Sequence, residues 1–227
     1  SQTFSQTDAT ASTSVSQPIQ TVLVQPLPEK AQTTSSPVPS NPTTQPTPQA
    51  GMTAKIEQII GTARESPQDA SVQFLCAVQL QRFKDTENAK LLFKETIALE
   101  PEFAEAYYNL AQIYQNEGNL QEAVSFLESA VKANPDNSKF KSVLANILMD
   151  RGDISEASAL AKSSAELDPN NSEGHFALAR VYYASKRHQE ALDAIAKGFE
   201  IESQAPTQIY QSLNELRNQV KSEMVSH

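Results

Sequence analysis

The sequence lacks most of the residues on which enzymes and disulfide-stabilised proteins depend. It contains one cysteine, Cys76, which cannot form an internal disulfide and from which no metal site can be assembled by spacing. It contains no tryptophan, so a core must consist mainly of Ala, Leu, Ile and Val. No stretch approaches the roughly 18 apolar residues that a membrane-spanning helix needs. The chain starts at Ser1, which is compatible with a signal peptide or membrane anchor upstream.

Basic charge is also scarce. The formal net charge is −9 and the isoelectric point is about 4.9. An acidic surface repels the phosphates of nucleic acids and of anionic lipid headgroups. We therefore expect neither a nucleic-acid partner nor direct membrane insertion.

Residues suited to catalysis do not form a pattern. The three histidines are His175, His188 and His227, and none has a partner constellation nearby in the sequence. The chain contains no phosphate-binding loop, glycine fingerprint or metal-ligand spacing. We therefore predict no enzyme activity, no catalytic residues, no metal site and no cofactor.

The composition changes sharply near residue 50. In residues 1–50, 34 positions are Ser, Thr, Gln or Pro, and only Asp8, Glu29 and Lys30 are charged. Such a segment cannot bury enough apolar area to offset its conformational entropy. We predict a disordered linker over residues 1–50 and a folded domain over residues 51–227.

The second region repeats every 34 residues. Three columns of residues keep this period independently, one of proline and two of alanine. They are Pro67, Pro101, Pro135 and Pro169; Ala77, Ala111, Ala145 and Ala179; and Ala89, Ala123, Ala157 and Ala191. Internal repeats of this length are typical of proteins built from stacked helical units.

The segment 104–137 shows the unit best. Its first half has apolar residues at helical spacing, from Tyr107 through Leu110 and Ala111 to Tyr114. Gly118 then provides a residue that can adopt the left-handed conformation found where helices end. The second half repeats the helical spacing, and Pro135 stops it. The pattern predicts two amphipathic helices joined as a hairpin.

This unit resembles the tetratricopeptide repeat (TPR), in its length and in its eight characteristic positions. In segment 104–137 those positions hold Tyr107, Leu110, Ala111, Tyr114, Ala123, Leu127, Ala130 and Pro135. The resemblance implies an all-α, right-handed superhelix of helical hairpins. We expect full units at about 70–103, 104–137, 138–171 and 172–205, a half unit at 53–69 and a capping helix at 206–222.

In the family, the first helix of each unit lines a concave wall that binds peptides. Carried over by position, the resemblance implies a peptide- or protein-binding site on this wall. Its members are Phe74, Tyr108, Asn109, Gln112, Lys139, Asn146, Met149, Phe176, Arg180 and Tyr183. Amide side chains can both donate to and accept from a peptide backbone, and aromatic rings offer apolar surface.

Some family members grip a partner's C-terminal carboxylate with a set of Lys, Asn, Asn, Lys and Arg. The corresponding residues are Phe74, Val78, Asn109, Lys139 and Val143, of which two match. Recognition of a chaperone C-terminus is therefore not expected.

The sequence leads to one main functional hypothesis and two rivals. We expect a protein-interaction scaffold or assembly factor that binds a peptide or protein segment in the concave groove. The alternatives are the non-catalytic arm of a larger enzyme complex, or a structural protein that assembles as a homo-oligomer. The composition of the linker is typical of bacterial envelope proteins, so we expect a periplasmic or otherwise extracytoplasmic location, with the cytoplasm as the alternative.

Overall fold

The computed structural model describes residues 48–203 and 207–226. These residues form ten α-helices, and no β-strand occurs among them. The helices are α1 (Pro48–Glu65), α2 (Ala70–Arg82), α3 (Thr86–Leu99), α4 (Ala104–Asn116), α5 (Leu120–Ala133), α6 (Ser138–Arg151), α7 (Ile154–Leu167), α8 (Ser172–Ala184), α9 (His188–Glu202) and α10 (Gln208–Val225).

Each helix packs against the next one along the chain, and α8 also packs against α6 and α10. Four hairpins result: α2 with α3, α4 with α5, α6 with α7, and α8 with α9. We call the two members of a hairpin its first and second helix. This arrangement confirms the predicted all-α fold of stacked TPR hairpins.

Two helix boundaries differ from those expected from the sequence. Helix α1 begins at Pro48, so residues 48–50 belong to a helix and not to the linker. Proline is tolerated there because the first-turn N–H groups of a helix lack intrahelical partners in any case. Helix α10 runs to Val225, three residues beyond the predicted end at 222. The remainder of the predicted linker, residues 1–47, lies outside the described residues.

A short polar side chain begins most of the first helices. Asp69 accepts a hydrogen bond from the backbone N–H of Val72, and Asn137 does the same for Phe140. Asn171 caps α8 through the N–H of Gly174. Such caps satisfy backbone donors that the helix itself leaves without partners.

The turn inside each hairpin has the same backbone conformation in all four units. Its central residue has a positive φ of 62°, 80°, 89° or 60°. These residues are Lys84, Gly118, Gly152 and Lys186, which are 34 residues apart. The next backbone N–H bonds back to a carbonyl five residues earlier, as from Asn119 to Tyr114 at 2.9 Å. This is the helix-ending geometry in which glycine is favoured, and two units use lysine in its place.

The two alanine columns lie in the interior of the domain. All eight alanines are fully buried, with no exposed surface. The large residues between them, such as Leu110, Leu127 and Leu148, are buried to the same degree or nearly so. The buried side chains form two clusters, which meet at Tyr114 and Phe126 between α4 and α5. The apolar faces therefore bury one another by stacking of units.

At the N-terminal end, α1 occupies the place of a second helix. Lys55 and Thr62 stand at the positions that hold Ala89 and Thr96 in the next unit. Lys55 and Thr62 are exposed, whereas Ala89 and Thr96 are completely buried. Polar residues suit these positions because no first helix of the same unit covers them within the described residues.

At the C-terminal end, a buried carboxylate joins three helices. Glu202 is 4% exposed and accepts hydrogen bonds from the Ser172 hydroxyl and from the N–H and hydroxyl of Thr207. Burial alone would raise the pKa of Glu202, but these hydrogen bonds hold it below its ordinary value. Ser203 stands where earlier units have proline, and Glu202 takes part in ending α9 and starting α10.

The hairpin turns provide a test of backbone strain. Replacing Lys84 by Gly should stabilise the domain by about 0.5–1 kcal/mol. The left-handed conformation is strained for a residue with a Cβ atom such as lysine, and glycine has none. Gly118→Lys at the equivalent exposed turn should destabilise by a similar amount. Chemical denaturation of the two variants measures both. Equal stability of all three proteins would contradict the assigned turn conformation.

The last interface provides a test of close packing. A Cβ added at Gly198 would lie 2.7 Å from Leu213 Cδ1, and Leu213 is fully buried. Gly198→Ala should therefore destabilise by about 1–3 kcal/mol through overpacking. The control is Gly61→Ala in α1, where an added Cβ meets nothing within 4 Å. Gly61→Ala should stabilise the domain by about 0.5–1 kcal/mol, because alanine has the higher helix propensity. The melting temperatures of Gly198→Ala and Gly61→Ala should therefore shift in opposite directions from that of the wild type.

Candidate functional site

The candidate site is the surface formed by the first helices, which we call the inner wall. It comprises positions 2, 5, 6, 9, 12 and 13 of each 34-residue unit, on α2, α4, α6, α8 and α10. Side chains on successive first helices touch one another along it. Lys139 of α6 lies over a ring of α4, and Arg180 of α8 reaches the backbone of α6. The 34-residue columns of the sequence therefore become rows of neighbours on the wall.

Tyr108 lies at the centre of the wall and is 7% exposed. Its ring stacks on Phe140 of α6, with the ring centroids 5.0 Å apart. The Gln112 amide donates a hydrogen bond to the Tyr108 hydroxyl at 2.8 Å, and the Lys139 ammonium lies 5.1 Å from the ring centroid. Three of the predicted residues, Tyr108, Gln112 and Lys139, are thus brought together across α4 and α6.

Glu173 of α8 faces the same place. Its carboxylate is half-buried, and burial raises its pKa above the ordinary value, while the nearby Lys139 ammonium lowers it in part. Burial raises the pKa of Tyr108 to about 12, and the charge of Glu173 adds to this effect. Among the described residues, the Glu173 carboxylate has neither a hydrogen-bond partner nor an ion pair. It is therefore an acceptor that the domain itself leaves unused.

A second group of predicted residues surrounds Arg180. Its guanidinium donates to the Asn146 carbonyl at 3.0 Å and to Asn146 Oδ1 at 3.3 Å. It also pairs with Asp150 at 2.5 Å and lies 5.7 Å from the centroid of the Phe176 ring. Arg180 is thus committed to the domain, and Asn146 uses its acceptors on α8. This group joins α6 to α8 and leaves the Phe176 ring as apolar surface.

The other predicted residues lie apart from these two groups. Phe74 packs between Phe93 and Phe103, with ring centroids 5.8 and 4.8 Å away, so it contributes more to the core than to the wall. Tyr183 lies near the C-terminal end, 6.1 Å from the His188 ring. Two more predicted residues remain half-exposed on the wall: Met149, and Asn109, which donates to the Glu105 carbonyl of its own helix.

Sequence reasoning missed two charged members of the wall, Glu173 and Asp150. A signal for Glu173 was present, because it lies 34 residues after Lys139 and so occupies the same column. Position 2 of the unit holds Glu105, Lys139 and Glu173 in successive first helices. Asp150 also stands at a wall position, number 13 of its unit, but its pairing with Arg180 follows only from the reach of the Arg180 side chain across one unit.

Two residues with chemical reactivity, His175 and Cys76, lie away from the inner wall. His175 is 6% exposed, its Nε2 is 2.9 Å from the Pro169 carbonyl, and it lines a cleft of about 590 Å³ between α7, α8 and α9. Cys76 is buried in the core, and burial raises the pKa of its thiol. In the described part of the chain, no cluster of three or more His, Cys, Asp and Glu side chains is placed to hold a metal ion.

The described helices also bear on membrane contact. None of them combines the length and the apolar character that crossing a bilayer requires.

The fold and the repeat columns define a protein of the helical-repeat class. The tetratricopeptide-repeat family model matches residues 80–147 and 148–213, more than half of the chain. The chain therefore belongs to the tetratricopeptide-repeat family.

Solved structures with a similar fold include two TPR proteins. The crystal structure of MamA has a TM-score of 0.60 and 17% identity, over 69% of this chain and 91% of that one. MamA from Desulfovibrio magneticus RS-1, from residue 41 to its end, has a TM-score of 0.59 and 18% identity, over 70% of this chain and 90% of that one. YrrB, a TPR protein with an unusual peptide-binding site, has a TM-score of 0.58 and 17% identity, over 76% of this chain and 100% of that one. No curated protein sequence matches this chain significantly.

The unused carboxylate of Glu173 gives a prediction for stability. Because its pKa is raised in the folded state, its charge destabilises the fold at neutral pH, and the effect disappears below the ordinary pKa of Glu. Glu173→Gln should therefore raise the free energy of unfolding at pH 7 by up to about 1 kcal/mol, and the difference should vanish near about pH 4. Urea denaturation at the two pH values measures this.

The matched control is Glu190→Gln on α9. A hydrogen bond from Arg187 lowers the pKa of Glu190, so its charge stabilises the fold at neutral pH. Glu190→Gln should therefore be slightly less stable than the wild type at pH 7, whereas Glu173→Gln should be more stable. A Glu173→Gln protein less stable than wild type would mean that Glu173 is a structural ion-pair partner.

Proposed function

We propose that this protein is a non-catalytic scaffold or assembly factor that holds a segment of a partner protein against the inner wall. Membership of the TPR family supports a role in protein interaction. The finer proposal, that binding takes place on this wall, rests on the side chains that α4, α6 and α8 present together.

The observation that carries the proposal is the mixture of chemistry at the centre of the wall. The wall carries half-buried apolar side chains, Phe176 and Met149, as well as the half-buried amides of Asn109 and Gln112. An extended peptide carries alternating apolar side chains and a backbone that needs both donors and acceptors. A wall of this composition can satisfy both at once, and YrrB offers a precedent for peptide binding by a protein of similar fold.

We further propose that the protein works in the bacterial cell envelope. The support is compositional: residues 1–50 are rich in Ser, Thr, Gln and Pro and nearly free of charge. A tether of this kind, about 40 Å long as a flexible coil, would separate the TPR domain from an anchor.

Affinity capture from the native cells tests the binding surface. The full chain is used as bait, beside a variant with Asn109→Arg and Met149→Arg, which places two large cations at half-exposed positions of the wall. The control carries Gln121→Arg and Ser125→Arg on exposed positions of α5, with the same change in charge. We expect the wall variant to lose the partner at least about tenfold by quantitative mass spectrometry, while the control keeps it.

The outcomes separate the alternatives. If both variants retain the same partners, the inner wall is not the binding surface. Capture of the chain itself, with no other protein, would favour self-assembly over a scaffold. Envelope and cytoplasmic fractions are processed separately, so recovery of the partner from the cytoplasm alone would contradict the proposed location.

A further inference from the structure

Two of the four cations on the inner wall are committed to the domain itself. The wall positions of α2 to α10 carry four basic residues, Arg82, Lys139, Arg180 and Arg217, and three acidic ones, Glu105, Asp150 and Glu173. By contrast, residues 51–227 contain 25 acidic and 17 basic residues, a net charge of −8. The wall is therefore close to neutral on a strongly acidic domain.

Two of these four wall cations already have partners. Arg180 binds Asp150 and Asn146, as described above. Arg217 donates to Asn214 Oδ1 and lies 4.9 Å from the centroid of the Phe199 ring. A partner's carboxylate would therefore have to displace existing contacts to reach either guanidinium.

Two other wall cations have no ion pair within the described residues: the exposed Arg82 of α2, and Lys139, which belongs to a pair of opposite charges at the centre of the wall. Lys139 and Glu173 occupy the same position of adjacent first helices, and Tyr108 faces both. Within the described residues, the Lys139 ammonium makes no hydrogen bond or ion pair, and neither does the Glu173 carboxylate. The two charges influence each other but are not in direct contact. The centre of the wall thus offers one free donor group and one free acceptor group, one helix apart.

Charge decides what fits between them. A cationic side chain placed there would be attracted by Glu173 but repelled by Lys139. An anionic side chain would be attracted by Lys139 but repelled by Glu173. An uncharged amide presents a C=O to the ammonium and an N–H to the carboxylate, so it satisfies both groups without repulsion. Because Glu173 is already partly desolvated, a donor from the partner would also relieve an existing unfavourable burial.

On the basis of the proposed function, we infer that the centre of the inner wall recognises an uncharged, amide-bearing residue of an extended partner segment. Lys139 and Glu173 are the residues that select against charge of either sign. The half-buried Phe176 ring lies one helical turn from Glu173 on α8 and takes a neighbouring apolar side chain of the segment. The partner is thus a neutral stretch of polypeptide and not a C-terminal carboxylate.

A charge-exchange experiment tests this inference. Random peptides displayed on phage are selected separately on the full-length chain and on Lys139→Gln, Glu173→Gln and the double variant. Wild type and the double variant should enrich peptides without charge at their central contact. Lys139→Gln should enrich Lys or Arg there, and Glu173→Gln should enrich Asp or Glu.

Synthetic peptides make the test quantitative. In a peptide selected on wild type, replacing the central residue by Lys or by Glu should weaken binding by about tenfold. Lys139→Gln should restore the affinity of the Lys form only, and Glu173→Gln that of the Glu form only. Charge preferences that do not change between the variants would overturn the inference.

The wall variant with Asn109→Arg and Met149→Arg separates this inference from the proposed function. Peptides that lose affinity for that variant but show no response to Lys139→Gln or Glu173→Gln would support wall binding and contradict charge selection. Peptides that bind the wall variant as well as wild type, or a library from which nothing is enriched, would count against the proposed function itself.

Discussion

The close approach of helices at small residues is the constraint on which the structure depends. The alanine columns at positions 8 and 20 of the unit have no exposed surface in any of the four hairpins. A larger side chain there would separate adjacent helices, because protein interiors are packed without spare volume. No hairpin can bury its apolar face alone, so the stacking distance set by these alanines fixes the whole solenoid. It also fixes the inner wall, since equivalent positions of successive units become neighbours.

Much of the fold could be predicted because three columns kept the same period. Proline at the ends of units and alanine at the helix crossings are local requirements, and the sequence displays them directly. The turn conformation was predicted only where glycine marked it. Lys84 and Lys186 adopt the same left-handed conformation, and only their 34-residue distance from Gly118 and Gly152 indicates it. The start of α1 at Pro48 was missed because composition marks the end of a linker only approximately.

The site was less predictable than the fold. The resemblance to the TPR family identifies the wall positions, but it does not show which side chains there already bind other residues of the domain. Arg180 is an example, because its partners lie 30 and 34 residues away and are identified only by the reach of a long side chain. Phe74 is a second example. It packs mainly with the core, because the Phe93 and Phe103 rings, which lie outside its own helix, contact it. What remains available at the centre is a small set of groups around Tyr108.

These groups distinguish this wall from a carboxylate clamp. A clamp needs several cations free of internal partners, whereas Arg180 and Arg217 are already bound. At the centre of the wall, the free groups are one ammonium and one carboxylate, and the wall as a whole is close to neutral within an acidic domain. We propose that such a surface gains its affinity from apolar contact and from backbone hydrogen bonds more than from charge, and its selectivity from the repulsion of charged side chains.

The most direct measurement of where a partner binds is NMR chemical-shift mapping of the full chain with a peptide selected on it. Our account predicts the largest shifts on α4, α6 and α8, at the Tyr108 ring, the Lys139 ammonium and the Glu173 carboxylate. The second helices α5, α7 and α9 should change little. Shifts concentrated on those second helices, or in the cleft around His175, would contradict the assignment of the inner wall as the binding surface.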